Sequence, residues 1–235
     1  MANMQKSEVT IHGPDGNFSA YIASPKTGAG PGIVVIQEIF GVNAVMRGIA
    51  DDLAAQGFFA IVPDLFWHIE PNIQLTDQSP AEWKRAFELY QAFNVDNGIK
   101  DIQATISHLR KMPGLTPRIG CVGYCLGGLL AYLTGTRTNI DASVAFYGVG
   151  IDSKTGEKSN IKKPMMLHLA EKDQFVPPSA QAKIVEDLKH EPEIQIHVYP
   201  GVDHAFARNG GQHYDKAAAD LANQRTRQFL KSNLF

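Results

Sequence analysis

The segment RIGCVGYCLGGLLAYLTG places Cys125 between Gly123 and Gly127, after an apolar, β-branched run and before a helix-forming one. Gly-x-nucleophile-x-Gly between a strand and a helix is the spacing of a nucleophile elbow, here with cysteine where serine is commoner. The glycines have a physical reason: the nucleophile is held in a strained backbone conformation, and a side chain two positions to either side would crowd neighbouring backbone. The helix that follows turns its unpaired N–H groups and partial positive charge toward the sulfur, where a thiolate and an oxyanion are both stabilised. Cys121, inside the predicted strand, reads instead as a buried inert thiol.

A thiol needs a base, and a base in such a turn follows a later strand. The eight histidines are at 12, 68, 108, 168, 190, 197, 204 and 213. His108 and His190 fall on predicted helices and His168 and His197 within predicted strands, whereas His204, in YPGVDHAFAR, follows the last strand in a loop that can reach the elbow. Asp173, in LAEKDQFVPP, is the expected orienting acid; Glu171 is nearer the strand, and Asp203 adjoins His204 too closely to face it. Asp173 also suits a turn or helix-start carboxylate. Glu38 directly follows the buried-type run IVVIQ, where a carboxylate is costly unless it is hydrogen-bonded or used. A carboxylate beside a thiol disfavours the thiolate and can take its proton. The same loop position nominates the backbone amides of Ile39 and Leu126 as the oxyanion hole.

These residues must be held by something, and the chain supplies an alternating pattern. Residues 7–24 carry two alternating stretches around Pro-Asp-Gly, a hairpin signal. Apolar runs of strand length then alternate with amphipathic segments to the end: GIVVIQ, FFAIVPDLF, RIGCVG, ASVAFYG, PMMLHLA and IQIHVYP as strands, with NAVMRGIADDLAAQG, AEWKRAFELYQAF, VDNGIKDIQATISHLRKM, LGGLLAYLTG, SAQAKIVEDLKH and the run to KSN as helices. That pattern predicts an α/β fold with a mostly parallel sheet covered on both faces. Ligands in such folds sit at the carboxyl ends of the strands, where Glu38, Asp64, Cys125 and the loops 171–178 and 201–208 all fall. Residues 67–82 read as a long connection.

Bulk properties exclude several classes. With 235 residues in one continuous pattern, a single domain over 1–235 is expected. A net charge of −2 gives no basic face for nucleic acid. Two cysteines four apart across a tight turn make no disulfide framework, so a reducing cytoplasm is expected. The stretch MANMQKSEVTIHGPDG lacks the apolar region of a leader, and no apolar run reaches the roughly 20 residues that span a bilayer. No His-Glu-x-x-His or clustered Cys/His spacing nominates a metal, and no cofactor is expected.

The motifs QEIFGVNAVMR, VGYCLGG, AFYGVG, KDQFVPP and DHAFAR, with the closing AAADLANQRTRQFL, together resemble the dienelactone hydrolase (carboxymethylenebutenolidase) family, from about residue 7 to 232. The resemblance implies an α/β-hydrolase fold and a Cys125, His204, Asp173 triad. It also implies that Glu38 helps deprotonate the thiol on substrate binding, that Ile39 and Leu126 supply the oxyanion amides, and that Arg208 grips a substrate carboxylate. A guanidinium fork suits that task. The implied reaction opens a small enol-lactone to a keto acid through a thioester, without cofactor or metal, in a monomer. One position departs: the family's second carboxylate-binding arginine falls in register with Trp83 here. The rival readings are a broad-specificity ester or thioester hydrolase and a ligand-binding protein on a hydrolase scaffold.

Overall fold

The computed structural model describes residues 5–235; residues 1–4, which open both the stretch read for a leader and the expected domain span, lie outside it. The N-terminal strands β1 (Gln5–Gly13) and β2 (Gly16–Ser24) form the expected antiparallel hairpin, with Gly13 opposite Gly16 at its tip. The remaining strands are β3 (Gly30–Ile36), β4 (Phe59–Pro63), β5 (Leu115–Tyr124), β6 (Ala142–Phe146), β7 (Met165–Ala170) and β8 (Ile194–Tyr199). One eight-stranded sheet runs β1-β2-β4-β3-β5-β6-β7-β8. Pairing is parallel from β4 through β8, and antiparallel only where β2 meets β1 and β4. Every residue of β3, β4, β6 and β7 is buried, as strands covered on both faces must be.

The helices are α1 (Ala44–Ala55), α2 (Pro80–Ala92), α3 (Val95–Leu109), α4 (Leu126–Arg137), α5 (Pro178–Leu188) and α6 (Lys216–Leu234). Their starts follow from short polar side chains that satisfy otherwise unpaired amides. Asn43, Asn94 and Asp215 accept from the amides of Met46, Asn97 and Ala218 at the heads of α1, α3 and α6. At α2 the Ser79 hydroxyl accepts from Glu82 N and Pro80 stands first in the helix, so the last three residues of the expected 67–82 connection are already helical. Two short 3₁₀ turns, Ile151–Ser153 and Thr155–Asn160, follow β6 where no element is predicted. Helix α5 stops at Leu188 and leaves His190 in a turn rather than on the expected helix.

Candidate active site

Cys125 occupies the N-cap position of α4, immediately after β5, with φ 56° and ψ −115°. The positive φ is costly for a residue with a Cβ and is held by its surroundings. Cys125 N donates to Phe146 O at 3.1 Å, and Cys125 O accepts from Gly128 N and Leu129 N. The flanking glycines are required by contact. A Cβ on Gly123 would lie 1.9 Å from Gly127 O, and one on Gly127 would lie 2.3 Å from Ile36 O and 2.5 Å from Gln37 O. Helix α4 therefore presses directly on the end of β3, which sets the loop bearing Glu38 and Ile39 beside the elbow. The amides of Ile39 and Leu126 donate to no other group among the described residues.

His204 lies beyond β8 and Asp173 beyond β7, both buried. His204 Nδ1 meets the two Asp173 oxygens at 3.0 and 2.9 Å. Asp173 Oδ1 also accepts from the amides of Phe175 and Val176, so one carboxylate organises its turn and orients the imidazole together. The other two acids brace the same loops: Glu171 accepts from Gly201 N, and Asp203 from Gln174 N and His204 N. Burial opposes protonation of His204, but its interactions with Cys125 and with the carboxylate of Asp173 outweigh it and raise its pKa to about 10. The far nitrogen, Nε2, is buried and has no hydrogen-bond partner among the described residues. Cys121 is fully buried, and burial pushes its thiol up to about 12.

Glu38 is buried at the end of the β3 segment and does not stand alone. Arg208 Nε donates to Glu38 Oε2 at 2.7 Å and Nη2 to Oε1 at 3.0 Å. Its third nitrogen, Nη1, donates to Asp77 Oδ2 at 2.9 Å. The guanidinium, also buried, lies over the Phe40 ring. Two protein carboxylates thus accept from all three nitrogens of Arg208, through three of the five N–H groups of the guanidinium. Burial works against its charge, and the adjacent Glu38 more than restores it, so its pKa is raised. For Asp77, burial works upward, but the hydrogen bonds from Arg208 and Gln212 N prevail and hold its pKa low. No signal in the sequence singles out Asp77, which lies in the irregular connection before α2.

The cleft over the sulfur is lined by Ile39, Trp83, Phe87, Tyr90, Val149 and Phe175, with Cys125, His204 and Arg208 at its floor. Trp83, Phe87 and Tyr90 share one face of α2 at helical spacing, while Ala86 and Leu89 point into the core. Trp83 is anchored by its indole N–H on Asp77 O at 3.0 Å and by an edge contact with Phe40. Phe175 meets the His204 ring edge-on at 4.9 Å. Tyr147, at the end of β6 with φ 38°, packs on His204 at 5.0 Å, and its buried hydroxyl has no partner among the described residues. Sequence reading overlooked it, although it sits at a strand's carboxyl end. No group of histidine, cysteine and carboxylate side chains suited to a metal ion occurs among the described residues.

A family model described as "Dienelactone hydrolase family" matches residues 18–234. A protein of Azospirillum brasilense, assigned as a carboxymethylenebutenolidase, is 48% identical over 226 residues, covering 94% of this chain and 96% of the relative. The carboxymethylenebutenolidase of Pseudomonas putida is 38% identical over 223 residues, covering 94% of each. Among solved structures, one from Klebsiella pneumoniae, assigned as a dienelactone hydrolase, superposes with a TM-score of 0.84 at 25% identity over 97% of this chain and 99% of that one.

Proposed function

This chain belongs to the dienelactone hydrolase family and is a lactone or ester hydrolase, and from that premise we propose that it works through Cys125 by way of a covalent thioester. The observation that carries the proposal is the elbow. Cys125 stands at φ 56° on the amino end of α4, next to a histidine already bonded to a buried aspartate. In the first half-reaction the Cys125 thiolate attacks the carbonyl carbon, and the carbonyl electrons move onto oxygen, where the Ile39 and Leu126 amides stabilise them. Collapse of the tetrahedral intermediate breaks the carbon–oxygen bond of the ester. The leaving group, as alkoxide or stabilised enolate, takes the proton from the His204 imidazolium, which leaves the imidazole neutral. In the second half-reaction neutral His204, oriented by Asp173, removes a proton from water as it attacks the thioester, and the thiolate is expelled. Glu38 is proposed as the group that accepts the thiol proton when substrate arrives, which requires one of its oxygens to leave Arg208. Because a thiolate is itself easily expelled, activated lactones, enol esters and aryl esters suit this site, and unactivated amides fall outside its chemistry.

The test is a pair of variants. Cys125→Ala should abolish hydrolysis of activated lactones and aryl esters, and retention of that activity would refute the proposal. His204→Ala, mixed with excess substrate, should accumulate acyl-enzyme, seen by intact mass as the acyl increment and lost on alkylation of Cys125 with iodoacetamide.

A further inference from the structure

Two carboxylates reach Arg208 from different parts of the chain. Glu38, on the loop after β3, accepts from Nε and Nη2, and Asp77, in the connection before α2, accepts from Nη1. All three side chains are at most 5% exposed, so water screens their charges weakly. With both acids ionised, two carboxylates against one guanidinium give the trio a single surplus negative charge.

That surplus has a use if one of the two acids takes a proton. When Glu38 accepts the thiol proton, the S–H bond breaks, its electron pair stays on sulfur, and the trio becomes neutral. In a simple Glu38–Arg208 pair the same transfer would leave a buried guanidinium without a counter-charge, which is strongly unfavourable. Asp77, still on Nη1, supplies that counter-charge. When the thioester is hydrolysed, the expelled thiolate takes the proton back and the trio regains its resting charge.

Asp77 is fastened well enough to stay in place through such a cycle. Its Oδ2 also accepts from Gln212 N and its Oδ1 from Gln78 Nε2, while its backbone oxygen accepts from the Trp83 indole and from Gln212 Nε2. Its low pKa keeps it the ionised member of the trio. It stands behind the arginine, outside the residues that line the cleft, so its charge bears on the Arg208–Glu38 pair more than on the sulfur.

We propose that Asp77 is a positioning residue for the first half-reaction: it keeps Arg208 placed and counter-charged while Glu38 loosens its hold and takes the thiol proton. The proposal rests on the hydrolase reading above and adds to it a residue that touches neither the substrate nor the sulfur.

The experiment separates the half-reactions with p-nitrophenyl acetate at pH 7, enzyme in excess. Release of p-nitrophenolate reports acylation, and decay of the acyl-enzyme by intact mass reports deacylation. Asp77→Asn can keep an oxygen on Arg208 while removing the charge. It should slow acylation by about tenfold or more, since one neighbouring charge moves a proton equilibrium by roughly one to three powers of ten. Deacylation, which uses His204 and Asp173 instead, should keep the wild-type rate, and Asp77→Glu should recover much of the lost acylation. Glu38→Gln should slow acylation as well, and adding Asp77→Asn to it should slow acylation no further. Wild-type acylation in Asp77→Asn, an equal fall in both half-reactions, or additive losses in the double variant overturns the proposal and leaves the thioester reading intact. Wild-type acylation in Glu38→Gln removes Glu38 as the acceptor and Asp77's role with it. Absence of any acyl-enzyme in the folded wild-type protein overturns the thioester reading itself. Where Asp77→Asn does not fold, Asp77→Ser removes the same charge and must show the same split.

Discussion

Gly127→Ala tests the link between the elbow and the oxyanion loop. The added Cβ would stand 2.3 Å from Ile36 O and 2.5 Å from Gln37 O, both backbone atoms, whereas real Cβ contacts essentially never fall under 3.0 Å. Since neither partner is the end of a flexible side chain, α4 and the β3 loop must separate by at least about 0.7 Å. Overpacking of this kind costs about 1–3 kcal/mol, offset by at most about 1 kcal/mol from alanine's better helix propensity. Catalysis should suffer more than stability, because the shift moves the Ile39 amide relative to the Leu126 amide. Misplacement near 1 Å costs on the order of 100-fold in rate. Equilibrium urea unfolding gives the first quantity, and kcat/KM on an aryl ester, measured well below the unfolding midpoint, gives the second. Gly48→Ala is the matched control: that glycine lies on the exposed face of α1 with nothing near its Cβ, so alanine should add about 0.4–1 kcal/mol and leave the rate alone. A folded Gly127→Ala enzyme with kcat/KM near that of wild type would refute both the close approach and the assignment of this loop to the oxyanion.

Three further outcomes are expected. The raised pKa of His204 makes its contribution to stability full below its ordinary value of 6.5 and progressively lost as pH climbs toward 10; because the interaction with Cys125 is the largest raising influence, Cys125→Ala should flatten this alkaline fall in urea midpoints, and an unchanged slope would sink the coupling. Arg208→Ala strands two buried carboxylates and should cost about 3–5 kcal/mol; since the Asp77 pKa is held low, its stabilisation exists above 3.8 and is lost as pH falls further, so the variant should lose less on acidification below that point than wild type does, as read by denaturation at pH 2.5–4. Ser79→Ala removes the cap of the helix carrying Trp83 and Phe87, and should cost about 1 kcal/mol while raising KM more than it lowers kcat; an unchanged KM would show that the aromatic wall is held without it.

The elements and the elbow were legible because their signals are local. Strand and helix runs differ in hydrophobic period, and glycines on both sides of Cys125 answer a contact between residues close in sequence. His204 and Asp173 were legible as the polar residues of loops that a parallel sheet must gather at one end. What escaped was non-local. Asp77 reaches Arg208 across 131 positions from an irregular stretch, so no periodicity could mark it, and the second carboxylate on that guanidinium follows only from that meeting. The apolar positions of α2 were visible, but which served the core was not. Ala86 and Leu89 took the core, leaving Trp83, Phe87 and Tyr90 to the cleft. Tyr147 was hidden because its hydroxyl's isolation is a property of the packed interior.

The strand order has a kinetic consequence. Cys125, Asp173 and His204, the proposed nucleophile, acid and base, hang from β5, β7 and β8, and among the described residues β8 is an edge strand paired only with β7. Loops of many residues must close before these three ends meet, which places the site among the slow, long-range contacts of folding. At the other end of the sheet, Trp67 stacks on Phe18 of the locally closing hairpin. Recovery of hydrolysis after dilution from denaturant therefore times the docking of the last strand, and the emission of Trp67 at the hairpin end, isolated in a Trp83→Phe variant, supplies a separate clock against which to set it.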